Sequence, residues 1–179
     1  MGGEGHQAIE PGGLSATHRL TAEELASLAR QVIDSYRDRG LTLASCESIT
    51  AGGIGWMLTT VPGSSQVYRG GLITYASELK ARLAGVDAEF IAAHGVINEQ
   101  TSRQMALGAA QACQADACVS VTGTAGPSGE DGVAPGVVWM GRYFRGTVSA
   151  QLLRFTGGRD AIRRATIAAA LRYLLAAVA

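Results

Sequence analysis

The sequence predicts a three-layer α/β/α sandwich built on a mixed β-sheet. Three observations carry that expectation. Segments with apolar residues at helical intervals alternate with short, apolar, β-compatible runs through the first two thirds of the chain. Two of those runs, 41–46 and 117–121, break straight into turns of small residues. Near the end, 136–143 and 147–155 read as consecutive strands joined at Arg145-Gly146, a hairpin that adds antiparallel strands to a parallel sheet.

Residues 1–20 are rich in glycine and polar side chains without periodicity and read as a flexible leader, which leaves 21–179 as one domain. Thr21 and Glu24 have capping-box spacing, Leu25, Leu28, Ala29, Val32 and Ile33 follow at helical intervals, and Gly40 supplies a stop. A strand over 41–46 turns at 47–53 into a helix running through Leu58. Val61-Pro62-Gly63-Ser64-Ser65 is a turn by composition, and 67–75 a second strand in which Gly70-Gly71 marks a bulge or a close backbone approach. Two short helices, 80–83 and 88–93, flank Gly85-Val86-Asp87. A longer helix over 99–115 turns Met105, Ala109 and Ala112 towards one face. The strand over 117–121 opens into an irregular loop over 122–132, and after the hairpin a last helix spans 159–177, apolar at Ile162, Ala165, Ala169, Leu171 and Leu175.

Composition narrows the function classes. The 15 basic and 15 acidic side chains balance, with no basic stripe of the kind a nucleic-acid binder uses against phosphate. No apolar run is long enough to cross a membrane, and no basic segment followed by an apolar stretch opens the chain, so it reads as cytoplasmic. Charged residues make up 17%, against about 25% in an average soluble domain. That light charge reads as a surface partly covered in a homo-oligomer, although a large apolar core would explain it as well. Cys46, Cys113 and Cys118 form neither a CxxC pair nor an even disulfide set and read as small buried hydrophobes. No HExxH and no cluster of cysteines and histidines provides a metal site; Glu130 and Asp131 read as solvated loop carboxylates.

Ligands of open α/β sheets bind at the carboxyl ends of strands, so the turns at 46–53 and 122–129 share one mouth if their strands run parallel. TGTAGPSG at 122–129 offers backbone N–H groups as an anion nest, although neither the dinucleotide fingerprint nor a P-loop occurs. Ser48 sits just before a helix start, where it reads either as a capping serine or as a nucleophile beside free N–H groups; Thr50 is an alternative cap. Glu47 beside a strand end orients a polar network or binds a ribose hydroxyl. A serine nucleophile needs a base. His6 and His18 fall in the leader, His94 stands at a helix end, and GxSxG is absent. Lys80 is the only lysine; the other basic residues are all arginines, which cannot lose their charge. Arg159 and Arg163 stand four apart on the last helix, either a solvated face or a clamp for an anionic group.

Six motifs in order make the chain recognisable: CESITAGG (46–53), VPGSSQVYRGGLITYASELKARLAGVD (61–87), HGVINEQ (94–100), VTGTAGPSG (121–129), GVVWM (136–140) and FTGGRDAIRRATI (155–167). With them the chain resembles the CinA C-terminal domain family of competence/damage-inducible proteins over roughly 22–177. The resemblance implies a cofactor-free hydrolase that converts nicotinamide mononucleotide and water to nicotinate mononucleotide and ammonia. It implies catalytic roles for Ser48 as nucleophile, Lys80 as base and Tyr75 as relay or orienting group. It implies substrate contacts from Glu47, Thr50, Ala51 and Gly52, from Thr122, Gly123, Ala125 and Gly126, and from Arg159 and Arg163, with oxyanion donors in the 50–52 turn or the 122–129 loop. Ile49, Ala51 and Val137 stand where the family often has cysteine, glycine and threonine; none of these changes removes a catalytic side chain. Longer members carry a preceding domain that resembles a molybdopterin-binding fold, and the pyrophosphatase activity it brings is not expected here. Two rivals remain at this point: a serine–lysine amidase of another substrate, and a non-catalytic module in DNA uptake or damage response.

Overall fold

The computed structural model describes residues 20–179, so the first 19 residues of the expected leader, His6 and His18 among them, lie outside the described residues. Leu20, assigned to that leader, packs against the core. Helix α1 (Ala22–Arg37) starts as its sequence directs: the Thr21 hydroxyl accepts from the Glu24 amide and the Glu24 carboxylate from the Thr21 amide. Strand β1 (Leu43–Glu47) is buried along its whole length. Helix α2 (Gly53–Thr59) begins at the end of the expected turn, because Ala51 and Gly52, at φ 50° and 92°, keep the chain out of the helix for five residues after β1. Neither Ser48 nor Thr50 caps it; the N-cap is Gly52.

Strand β2 (Tyr68–Ile73) carries the expected bulge: Leu43 pairs with Tyr68 but Ala44 with Gly70, and Gly70 takes φ 141°. Helices α3 (Ser77–Ala84), α4 (Ala88–His94) and α5 (Glu99–Cys113) follow, the last two capped by the side chains of Asp87 and Asn98. On α5 the buried face holds Met105, Ala106, Ala109 and Ala110, while Ala112 is exposed, one helical step beyond the apolar stripe. Strand β3 (Ala117–Gly123) runs two residues further than expected and takes Thr122 and Gly123 out of the loop, because both pair with β4 (Val137–Phe144). Strand β5 (Thr147–Arg154) returns from β4 through Arg145-Gly146, both at positive φ, and α6 (Arg159–Leu175) closes the chain.

The sheet order is β2-β1-β3-β4-β5, with β1, β2 and β3 parallel and the β4–β5 hairpin antiparallel. Helices α1, α2 and α6 cover one face over the larger core, around Leu43, Val119, Ile54 and Leu171. Helices α3 and α5 cover the other over a smaller core of Ala44, Cys46, Met105 and Cys118. This is the expected three-layer sandwich. On that second side α3 lies so close to α5 that a Cβ on Gly108 would stand 1.8 Å from the Ala84 carbonyl oxygen, so only glycine fits there. Glu47 aligns with Ile73 on one side and Val121 on the other. The parallel strands therefore deliver Ser48, Thr74 and Thr124 to one edge of the sheet.

Candidate active site

At that edge Ser48 leaves β1 with its amide donating to Val121 O at 3.1 Å, which continues the β1–β3 ladder and holds the residue in place. The turn behind it is closed by Ala51 N to Ser48 O and Gly53 N to Thr50 O. From the opposite side, α3 carries Lys80 on its buried face. Its ammonium group donates to Ser48 Oγ at 3.2 Å and to Thr74 O at 2.9 Å, and the side chain is 1% exposed. Ser48 itself is 8% exposed. Desolvation pulls the Lys80 pKa below the usual 10.5; Glu130, and then Cys46, Asp131 and Glu78, push it back up. Thr74 O takes one N–H in either protonation state. In the neutral state the lone pair is left for Ser48, and the Ser48–Lys80 hydrogen bond reverses so that the hydroxyl donates.

The arginine helix start reaches back to the same edge. Arg163 donates from Nε to Ile49 O (3.2 Å) and from Nη2 to Thr50 O (2.8 Å), gripping the turn after Ser48. Arg159 donates to Gly126 O (2.9 Å) and to the Tyr75 hydroxyl (3.0 Å), bridging the β2–α3 and β3–β4 connections. These contacts explain the helical spacing of the two arginines: each holds a loop. Tyr75 is exposed and bonds to Arg159, with no hydrogen bond to Ser48 or Lys80.

The chain matches the model of the CinA C-terminal domain over residues 25–178. It belongs to the CinA C-terminal domain family. A protein of Escherichia coli strain K12 named nicotinamide-nucleotide amidohydrolase PncC is 39% identical over 157 residues, covering 87% of this chain and 95% of that protein. A CinA-like protein of Geobacter sulfurreducens is 38% identical over 172 residues, with 93% of this chain matched to 42% of the longer protein. Among solved structures, the competence/damage inducible protein CihA of Agrobacterium tumefaciens superposes with a TM-score of 0.82 at 36% identity, covering 86% of this chain and 94% of that one.

In this CinA C-terminal domain several residues singled out in the sequence are committed inside the fold. Glu47 is 1% exposed and accepts from four groups of its own chain, which leaves no oxygen for a ribose hydroxyl. The Thr122 hydroxyl donates to Val96 O, and a Cβ on Gly123 would stand 2.5 Å from Val137 O. Ala125 packs into the larger core. The 122–129 segment is not a row of free donors, because Thr124 N donates to Val137 O and Gly126 N to the Thr124 hydroxyl. The helix start offers Ser48 no free amides either, since Ile54 N and Gly55 N go to Glu47. Thr50 N and Gly52 N, within the turn, donate to no acceptor among the described residues.

The sequence reading missed Thr74, whose carbonyl shares Lys80 with Ser48, and took Asp131 for a solvated loop carboxylate, whereas its Oδ2 accepts from Val96 N at 3.1 Å. A backbone carbonyl leaves no trace in side-chain identity. Asp131 at φ 51° has a local signal only as one of the aspartates that tolerate turns. The three cysteines are free, and burial pushes Cys46 up to about 12 and Cys118 well above its ordinary value, so neither is a thiolate at neutral pH. Among the described residues no three His, Cys, Asp or Glu side chains converge to hold a metal ion, and no helix is long and apolar enough to cross a membrane.

Proposed function

We propose that this chain deamidates nicotinamide mononucleotide, with Ser48 as nucleophile and Lys80 as general base. One observation carries the reading: the buried amine of the chain's only lysine lies 3.2 Å from the hydroxyl of a serine at a strand end, in surroundings that disfavour its charge. The names of its amidohydrolase relatives supply the substrate.

Neutral Lys80 takes the Ser48 proton as Oγ attacks the carboxamide carbon. Thr50 N–H and Gly52 N–H are the donors assigned to the oxyanion. Lys80 then hands its proton to the leaving nitrogen; the C–N bond breaks, ammonia departs and the nicotinoyl group remains as an ester on Ser48. Water, deprotonated by the same amine, attacks that ester and releases nicotinate mononucleotide with Ser48 regenerated. Arg159, at the exposed start of α6, is assigned to the substrate phosphate, and Tyr75 orients it. The test is incubation of purified protein with nicotinamide mononucleotide and other amides. Equimolar ammonia and nicotinate mononucleotide, lost in Ser48→Ala, are expected. Preference for another amide overturns the substrate, and full activity in Ser48→Ala overturns the mechanism.

A further inference from the structure

We propose that Glu47 is a positioning residue for Ser48, acting as the cap of α2 in place of an N-cap side chain. The proposal rests on Ser48 being the nucleophile. A helix start leaves its first amides without partners, and Gly52 has no side chain to receive them. The Glu47 carboxylate does so from the strand before: Oε2 accepts from Ile54 N (3.0 Å) and Oε1 from Gly55 N (2.9 Å). The same carboxylate takes the Thr50 hydroxyl at 2.7 Å and the Ser45 hydroxyl at 3.0 Å. The proton of Ser45 being so used, Tyr68 O–H donates to Ser45 Oγ at 2.8 Å. A Cβ on Gly55 or Gly71 would meet the Tyr68 oxygen at 2.6 or 2.5 Å, so both glycines make room for that phenol.

Residue 47 directly precedes the nucleophile, residue 50 lies within its turn, and residues 54 and 55 begin the element that ends it. One buried anion thus ties both ends of the turn and its middle to a fully buried strand. An amide cannot replace it. Each carboxylate oxygen faces a backbone N–H, so either orientation of a glutamine sets its NH2 against a donor that has no lone pair to offer. Lys80 approaches from the other side of the sheet, and the groups that push its pKa up are Glu130, Cys46, Asp131 and Glu78.

The test compares wild type, Glu47→Gln and Thr50→Val in kcat and KM on nicotinamide mononucleotide. It adds the pH profile, the melting temperature and the rate at which a fluorophosphonate labels Ser48. Positioning predicts that Glu47→Gln lowers kcat and the labelling rate together, by about ten-fold or more as befits lost charge-assisted hydrogen bonds. KM and the acid limb of the profile stay in place. Folded Glu47→Gln with a lower melting temperature but unchanged kcat and labelling overturns the proposal. If that variant does not fold, Thr50→Val, which removes one donor, is expected to lower both rates in parallel, and unchanged rates overturn the proposal equally. A wild type that labels at Ser48 but does not deamidate refutes the substrate, and the labelling rates alone then decide the role of Glu47.

Discussion

Lys80 holds two opposed influences, and their balance sets the pH dependence of the site. Burial lowers its pKa below 10.5 and the carboxylate of Glu130 raises it. Only the neutral amine accepts the Ser48 proton, so kcat/KM rises with pH through the depressed pKa, and the acid limb lies below the ordinary lysine value. Glu130→Gln removes a charge that favours the ammonium form. Its acid limb is expected at lower pH than that of wild type; a shift to higher pH contradicts the electrostatic assignment. The same depression makes the unfolded chain bind more protons than the folded one between the lowered pKa and 10.5, so Lys80 makes stability rise with pH across that window. Legibility at this scale followed chemistry. A lone lysine and a serine at a strand end are visible in a string of letters. The donors that Glu47 satisfies are not, because two of the four are backbone amides seven and eight residues on.

Helix α6 shows why spacing alone misleads. Arg159 and Arg163 share a helical face, which reads as a phosphate clamp, yet Arg163 spends two N–H groups on carbonyls more than a hundred positions earlier. No local pattern announces such contacts. The two arginines therefore separate kinetically: Arg163→Ala is expected to lower kcat with KM little changed, by loosening the Ser48 turn. Arg159→Ala is expected to raise KM by about ten-fold, the worth of a charged hydrogen bond. Michaelis–Menten analysis of both on nicotinamide mononucleotide checks the split, and a larger KM effect in Arg163→Ala reverses the assignment. The α3–α5 contact makes a second prediction. In Gly108→Ala the new methyl meets the Ala84 carbonyl, and overpacking of this kind costs about 1–3 kcal/mol. The helix carrying Lys80 must then move, so a lower melting temperature and a lower kcat are expected together. A variant with wild-type values in both means that α3 yields without displacing the amine.

Across the whole molecule the parallel strands decide the function's location before any side chain does. Register places the ends of β1, β2 and β3 together, and the amine on α3 arrives there because its helix follows β2 directly. This much was legible: alternation of periods gave the layers, and small-residue breaks after 46 and 121 marked the edge. The cap of α2 was not, since Ser48 and Thr50 both suit an N-cap by composition, and the amides of its first turn go instead to a carboxylate on β1. The central claim is that Ser48 and Lys80 act as one unit, and a double-mutant cycle on kcat for nicotinamide mononucleotide tests it most directly. Ser48→Ala and Lys80→Ala are each expected to cost roughly three orders of magnitude or more, the double variant little more than either, and Lys80→Arg to be as inactive as Lys80→Ala. Additive losses in the double variant, or an active Lys80→Arg enzyme, would contradict it.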